Sequence, residues 1–95
     1  MKKNYITKIE YKGGNQEALK VIKQKEGFSS EFWLTFVQAR NSGLKIKKGS
    51  KGVKLIAVTE EEVAKNGSKN VITNLIKYFI VFNLDQTEKA INEEN

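Results

Sequence analysis

The residue types most able to do chemistry are Lys45, Lys47, Lys48, Lys51 and Lys54, five lysines in residues 43–54 with no acid among them. Lysine ammonium groups attract a phosphodiester backbone without reading its bases. Gly49 and Gly52 lie between them, and glycine lets backbone N–H groups come close to a phosphate. The segment is not a nucleotide-hydrolysing loop. Gly43 and Gly49 are six apart, and Ser50 follows Gly49 where the phosphate-loop pattern requires lysine. The chemistry implied is phosphate binding, with no bond made or broken.

Aromatic residues interleave with this charge. An exposed ring in a basic groove can stack a nucleobase, worth about 1–3 kcal/mol per base. Tyr78 beside Lys77 is the first candidate, and Tyr11 beside Lys12 is the second. Trp33 is the single tryptophan; it reads as core or as a platform. Gln38 and Gln86 carry amides that could bond a base edge or a phosphate, or simply face water. Arg40, the single arginine, is either a phosphate clamp or an ion-pair partner for Glu26 or Glu31.

The rest of the composition narrows the classes. The net charge is +6, and it is unevenly spread. Residues 1–12 hold four lysines against one glutamate, whereas residues 83–95 hold four acids against Lys89. A concentrated positive surface suits a nucleic-acid backbone. There is no cysteine and no histidine, which removes thiolate, imidazole and zinc chemistry. The acids fall mainly in two runs, residues 60–62 and 85–94, so no carboxylate cluster for a metal is legible. We expect no catalytic residue, no metal, no cofactor and no enzyme activity. No apolar run approaches the roughly 20 residues of a membrane span. Lys2 and Lys3 are not followed by an apolar stretch, so a cytoplasmic protein is expected.

These residues need elements to hold them. The length suits one domain over residues 1–95. Residues 1–4 read as a loose basic arm, and the pattern over Tyr5, Ile9 and Tyr11 fits helix and strand equally. Gly13 and Gly14 turn the chain, and Asn15 is placed to cap a helix over residues 16–25 with Ala18, Leu19 and Ile22 inward. Gly27 sits where a C-cap glycine belongs, and Phe28 reads as a core anchor. Residues 31–41 read as helical from a Ser29 or Ser30 cap; a shorter reading starts at Thr35. Leu44 and Ile46 alternate with lysines as a half-buried strand does. Residues 49–52 then turn into a second strand over 53–58, making a lysine-tipped hairpin. Leu55 faces one side of it and Ile56 the other. Thr59 with Glu62 fits a capping box for a short helix over 60–65. Residues 66–70 read as a polar loop, and the chain from Val71 as strand, clearest over 77–84. From Asp85 the chain is acidic and helical in composition, and residues 88–95 are expected to be flexible. The sum is an α+β domain of two N-terminal helices and a small antiparallel sheet of about three strands. A winged-helix-like arrangement, with 49–52 as the wing, fits the same order.

Four blocks in this order resemble a known family. They are Tyr11-Lys12-Gly13-Gly14-Asn15-Gln16, then Phe32-Trp33-Leu34-Thr35-Phe36-Val37-Gln38-Ala39, then the Gly/Lys segment 43–52, and last Phe79-Ile80-Val81-Phe82-Asn83-Leu84-Asp85-Gln86-Thr87. The chain is similar to the N-terminal single-stranded-DNA-binding domain of ArdC-like antirestriction proteins. Related domains occur in plasmid and mobile-element replication or transfer proteins. The resemblance implies binding of single-stranded DNA with little sequence preference. It places Trp33, Thr35, Gln38, Lys48, Asn83 and Gln86 at motif positions, without separating contacts from scaffold. The metal-dependent, protease-like domain of the full-length proteins has no counterpart in these residues.

The leading expectation is a non-enzymatic single-stranded DNA-binding module, an accessory factor in replication or transfer of a mobile element. A second reading is a protein-interaction subunit of a mobile-element DNA polymerase, primase or helicase, with weak DNA binding alone. Duplex recognition by a winged helix is disfavoured, because the helix ending near Arg40 offers few base readers beyond Gln38. RNA stays open, since lysines do not distinguish the sugars. A small antirestriction or host-defence inhibitor rests on the resemblance alone.

Overall fold

The structure, a computed structural model, describes residues 1–64 and 70–90, with side chains for 1–57 and 76–90. It has the expected α+β class. Strands β1 (Lys3–Asn4), β2 (Phe32–Thr35), β5 (Asn70–Asn83) and β4 (Val53–Ala64) form one mixed sheet in the order β1-β2-β5-β4. Strand β3 (Leu44–Ile46) pairs with β6 (Thr87–Lys89) in a separate two-stranded ribbon. Helix α1 (Gly14–Glu26) and the short α2 (Phe36–Asn41) complete the elements.

Register assigns the two faces of the large sheet. Cα partners across a ladder lie on the same face, and alternate residues along a strand lie on opposite faces. Trp33 pairs with Asn83, and Thr35 and Val53 both pair with Val81. These residues share the inner face. Trp33, Leu55 and Val81 bury there against Leu19 of α1, with Ala18, Ile22 and Phe28 packed around them. The apolar stripe of α1 repeats at three- and four-residue steps, so one side of the helix covers the sheet. Phe28 meets Trp33 edge-on, with ring centroids 5.9 Å apart. Leu34, Phe82, Ile80, Tyr78, Ile56 and Lys54 share the outer face. Leu34 is buried, while Ile56, Tyr78 and Ile80 are exposed.

Several local readings are corrected by non-local pairing. Asn15 does not cap α1. Gly13 holds the N-cap position at φ 59°, and α1 starts at Gly14. The Asn15 amide instead reaches the edge strand, donating to the Ile56 carbonyl (2.7 Å) and accepting from its N–H (3.1 Å). One side chain thus does for β4 what a neighbouring strand would do. Strands β3 and β4 do not pair with each other, so residues 45–54 form no hairpin and 49–52 is no wing. The capping-box signal at Thr59 and Glu62 is overridden. Residues 60–64 continue β4 against β5, with Glu60 opposite Asn74 and Ala64 opposite Asn70. The loop expected over 66–70 lies outside the described residues except for Asn70, which begins β5. Strand β5 starts one residue before Val71, where strand propensity begins in the sequence, and stops at Asn83, one residue before the expected end.

The shorter reading of the second helix holds. Thr35 accepts from the Gln38 N–H, and the Gln38 side chain accepts from the Thr35 N–H, a reciprocal capping box. Residues 32–35 before it are strand, not helix. The basic arm is tied down: Lys3–Asn4 pair in parallel with Phe32–Trp33. Glu31 bridges Lys2 (3.1 Å) and Lys23 (3.3 Å), linking arm, helix and sheet. Desolvation works to raise the Glu31 carboxyl's pKa, but hydrogen bonds and charge from the two lysines outweigh it and hold it below its usual value. After β5 the chain makes a 3-10 turn, Leu84–Gln86, capped by Asn83, and then β6. The helical reading from Asp85 is therefore replaced by turn and strand as far as Lys89.

Candidate nucleic-acid interface

The lysines of 45–54 divide into three environments. Lys45 lies on β3 opposite Glu88 of β6, and its ammonium is 3.6 Å from that carboxylate. Lys47, Lys48 and Lys51 line an open groove together with Phe28, Glu26 and Asp85. Lys54 lies on β4, with its ammonium 4.6 Å from the centre of the Tyr78 ring.

The 47–51 loop is held from behind. Gln86 is buried; its Nε2 donates to the Lys51 carbonyl (3.0 Å) and its Oε1 accepts from the Asn83 N–H (2.8 Å). The Gln86 carbonyl accepts from the Lys47 N–H at 2.8 Å. Ser50 N–H closes the turn on the Lys47 carbonyl at 3.1 Å, and Gly49 takes φ 86°, which favours glycine. Gly52 serves packing. A Cβ there would clash with Ile80 Cγ2 and press on the Phe82 ring, so glycine lets the chain enter β4 over those side chains. Asp85 accepts from the N–H groups of Ser29 and Ser30, which fixes an acid at the rim of the lysine groove. Asn83, fully buried, donates to the Ser30 carbonyl (2.9 Å) and accepts from the Asp85 N–H (2.8 Å).

The second cleft lies at the other end of α1. Lys12 and Lys54 line it with Asn15, Ala18 and Ile56. No acid is among its described lining residues. The adjoining Tyr78 is 60% exposed and stands between the exposed Ile76 and Ile80 on the outer face. A half-open aromatic face with an ammonium over it is a cation–π pair that can also accept a stacked base.

Other sequence candidates fall elsewhere. Trp33 is fully buried, so it is scaffold, not a stacking platform. Gln38 is committed to the Thr35 cap and to Asn4, accepting from Asn4 Nδ2 at 2.9 Å. The Tyr11 hydroxyl accepts from the same amide (3.1 Å), and its ring packs on the core. Burial pushes the Tyr11 hydroxyl's pKa up, against a smaller lowering by Asn4. Neither Gln38 nor Tyr11 therefore presents a free reading or stacking group. Lys77 pairs with Ala57, on the face opposite Tyr78. Arg40 is exposed on α2 and lines a separate small cleft with Phe36, Leu44 and Ile46. Of its two readings, the ion pair with Glu26 or Glu31 is not formed; Glu31 is taken by Lys2 and Lys23.

Sequence reasoning missed a second aromatic–cation group. Lys8 Nζ sits 4.3 Å from the Tyr5 ring centre and 4.6 Å from that of Phe32. The two rings meet edge-on at 6.0 Å. The signal was Tyr5 and Lys8 three apart after Asn4, whose side chain accepts from the N–H groups of Ile6 and Thr7 and so closes the turn.

Among the described residues no three histidine, cysteine or acidic side chains come together as a metal site. None of the described helices is long and apolar enough to cross a membrane. Fold and site together define a small α+β binding domain with a lysine-flanked aromatic sheet face.

Residues 1–90 match the family model described as the N-terminal domain of anti-restriction factor ArdC. The chain belongs to that family, which is associated with plasmids and other mobile elements. Two solved structures share its fold, the metal-free and Mn(II)-bound crystal structures of antirestriction protein ArdC from plasmid R388. The first superimposes with a TM-score of 0.84 at 24% identity, and the second with 0.75 at 25%. Each match covers 98% of this chain but only 34% and 36% of the ArdC chain. This chain thus spans about a third of the length of those proteins. It offers no described residue cluster for the manganese named in the second structure. No curated protein matches the chain.

Proposed function

We propose that this protein binds single-stranded DNA with low sequence specificity, without catalysis, as an accessory factor in replication or transfer of a mobile genetic element. The observation that carries the reading is the Lys54–Tyr78 pair. An exposed ring lies under an ammonium, beside Lys12 and a cleft with no acid among its described lining residues. Bases stack on Tyr78, and Lys12 and Lys54 hold the adjoining phosphates. Lys47, Lys48 and Lys51 extend the phosphate path along the far end of α1. A duplex keeps its bases stacked and paired, so Tyr78 gains nothing from it. Apart from Lys54, the described side chains beside the ring on its face, Ile56, Ile76 and Ile80, are aliphatic and offer no hydrogen-bond reading of base edges.

The test is fluorescence-anisotropy titration of a labelled single strand and its duplex, at low and near-physiological salt. Tighter binding of the single strand, weakening steeply with salt, supports the reading. Equal or tighter binding of the duplex, or no binding at low salt, overturns it.

One observation favours a second reading, docking to a mobile-element polymerase, primase or helicase. Ile56, Ile76 and Ile80 on the sheet, and Phe36 and Val37 on α2, are exposed apolar side chains. In that case the partner raises DNA affinity, and the isolated chain binds weakly. The antirestriction activity named for the R388 protein belongs to a chain of which this one matches only 34%, and it is no part of the proposal.

A further inference from the structure

We propose that Tyr5, Phe32 and Lys8 form a second nucleotide-binding station, on the same sheet face as Tyr78 and at the opposite edge of the sheet. The inference rests on the single-strand reading and extends it from one contact to a path.

The molecule builds the same unit twice. At the β4 edge the Lys54 ammonium lies 4.6 Å from the Tyr78 ring centre, and at the β1 edge the Lys8 ammonium lies 4.3 Å from that of Tyr5. Register puts both units on one face. Lys3 pairs with Phe32, so the two point the same way, and the Tyr5 ring meets Phe32 on that side at 6.0 Å. Phe32 and Leu34 alternate onto one face, and Leu34 pairs with Phe82. Phe82, Ile80 and Tyr78 continue that face along β5. Phe32 is two residues from Leu34, and Tyr78 is four from Phe82. The two stations are therefore six strand residues apart, roughly 20 Å at about 3.3 Å per residue. A single strand of several nucleotides spans that distance. Helix α2 starts between the two levels, directly after Thr35, and carries the exposed Arg40.

The Lys8 turn is built to hold this amine in place. Lys8 has φ 62°, a left-handed conformation uncommon for a residue with a side chain. Its N–H donates to the Asn4 carbonyl (2.9 Å), and its amine donates to the Tyr5 carbonyl. Half-buried rings alone would need only an aliphatic cover. An ammonium over them supplies a cation within reach of a phosphate whose base lies on the ring, as proposed for Lys54 over Tyr78.

The test uses the full chain and oligo(dT) carrying 5-iododeoxyuridine, which crosslinks to stacked aromatic rings on irradiation. Crosslinked peptides are located by mass spectrometry. The expected result is crosslinks at Tyr78 and at Tyr5 or Phe32, with the second set persisting in Tyr78→Ala. Lys8→Asn keeps a residue type that tolerates positive φ and removes the charge. It should weaken binding of a long strand by roughly 3- to 10-fold and flatten the salt dependence, while Lys8→Arg restores both. Tyr5→Leu keeps apolar cover and should abolish the crosslink at residue 5. Crosslinks confined to Tyr78, with Lys8→Asn binding as the parent does, overturn the second station and leave the single-strand reading standing. No binding by the parent protein overturns both.

Discussion

The loop at 47–51 and the cleft at Lys12 and Lys54 present the same side chain in different surroundings. The loop has three lysines, but Glu26 and Asp85 line the same groove. Asp85 cannot swing away freely, because the Ser29 and Ser30 amides hold its carboxylate. A phosphate entering there meets two negative charges as well as three positive ones. Among the described residues the cleft has two lysines, yet no acid lines it and an aromatic face adjoins it. Lysine density along the chain therefore overstates the loop and understates the cleft. Field strength at a site depends on what the fold brings near, and opposite charges a few ångströms apart cancel most of each other's reach in water.

The largest expected effect removes the frame behind both regions. Trp33→Ala should cost about 3–5 kcal/mol of stability, as large-to-small changes of buried aromatics do. In a domain of this size that lowers Tm by more than about ten degrees. Thermal melting followed by circular dichroism checks it. A Tm close to the parent's, together with abolished DNA binding, would instead make Trp33 a platform. Tyr78→Ala comes next. It should cost about 1–3 kcal/mol of single-strand affinity with Tm nearly unchanged, because the ring is mostly exposed. Equal affinity for parent and variant would take the stacking platform out of the cleft.

Charge removal then separates the two regions directly. Lys12→Gln with Lys54→Gln should reduce the slope of log affinity against log salt by about 0.7 for each phosphate that the protein no longer neutralises. The triple change of Lys47, Lys48 and Lys51 to Gln should reduce it by less per lysine, since nearby carboxylates already compensate part of that charge. A larger reduction per lysine from the loop would reverse the ranking of the two regions.

The sequence made some of this legible. Helix α1, the Thr35 cap, the core role of Phe28, the opposed faces of Leu55 and Ile56, and the Tyr78 strand follow from local periodicity and cap chemistry, which a linear chain displays. The partner of β3 does not. Leu44 pairs with Lys89 and Ile46 with Thr87, more than forty residues away, and period-2 alternation is the same whichever strand is alongside. For that reason a hairpin was expected where two separate sheets meet. The Thr59–Glu62 signal failed for a related cause: a continuous ladder to β5 outcompetes one helical turn. Charge compensation was equally hidden. Glu26, Asp85 and Glu88 lie far from the lysines in sequence and beside them in the fold. Asn15 and Gln86 carried motif-like signals whose observed work is structural, sealing an edge strand and bracing a loop.

The smallest effect tests whether the loop is on the DNA path at all. Glu26 is in the last turn of α1, exposed, and forms no ion pair among the described residues. Glu26→Gln should therefore leave stability within about 0.5 kcal/mol of the parent. If the lysine groove holds phosphate, removing this repulsion should raise single-strand affinity a few-fold at low salt, and the gain should fade as salt screens it. The same change should do nothing in a background where Lys47, Lys48 and Lys51 are already Gln, because the groove then holds no phosphate for it to repel. Anisotropy titrations of the two proteins and their combination make this a double-mutant cycle. A gain that survives removal of the lysines would mean that Glu26 acts through the general field of the protein. No gain in either background would confine the phosphate path to the edge cleft, where no acid stands in its way among the described residues.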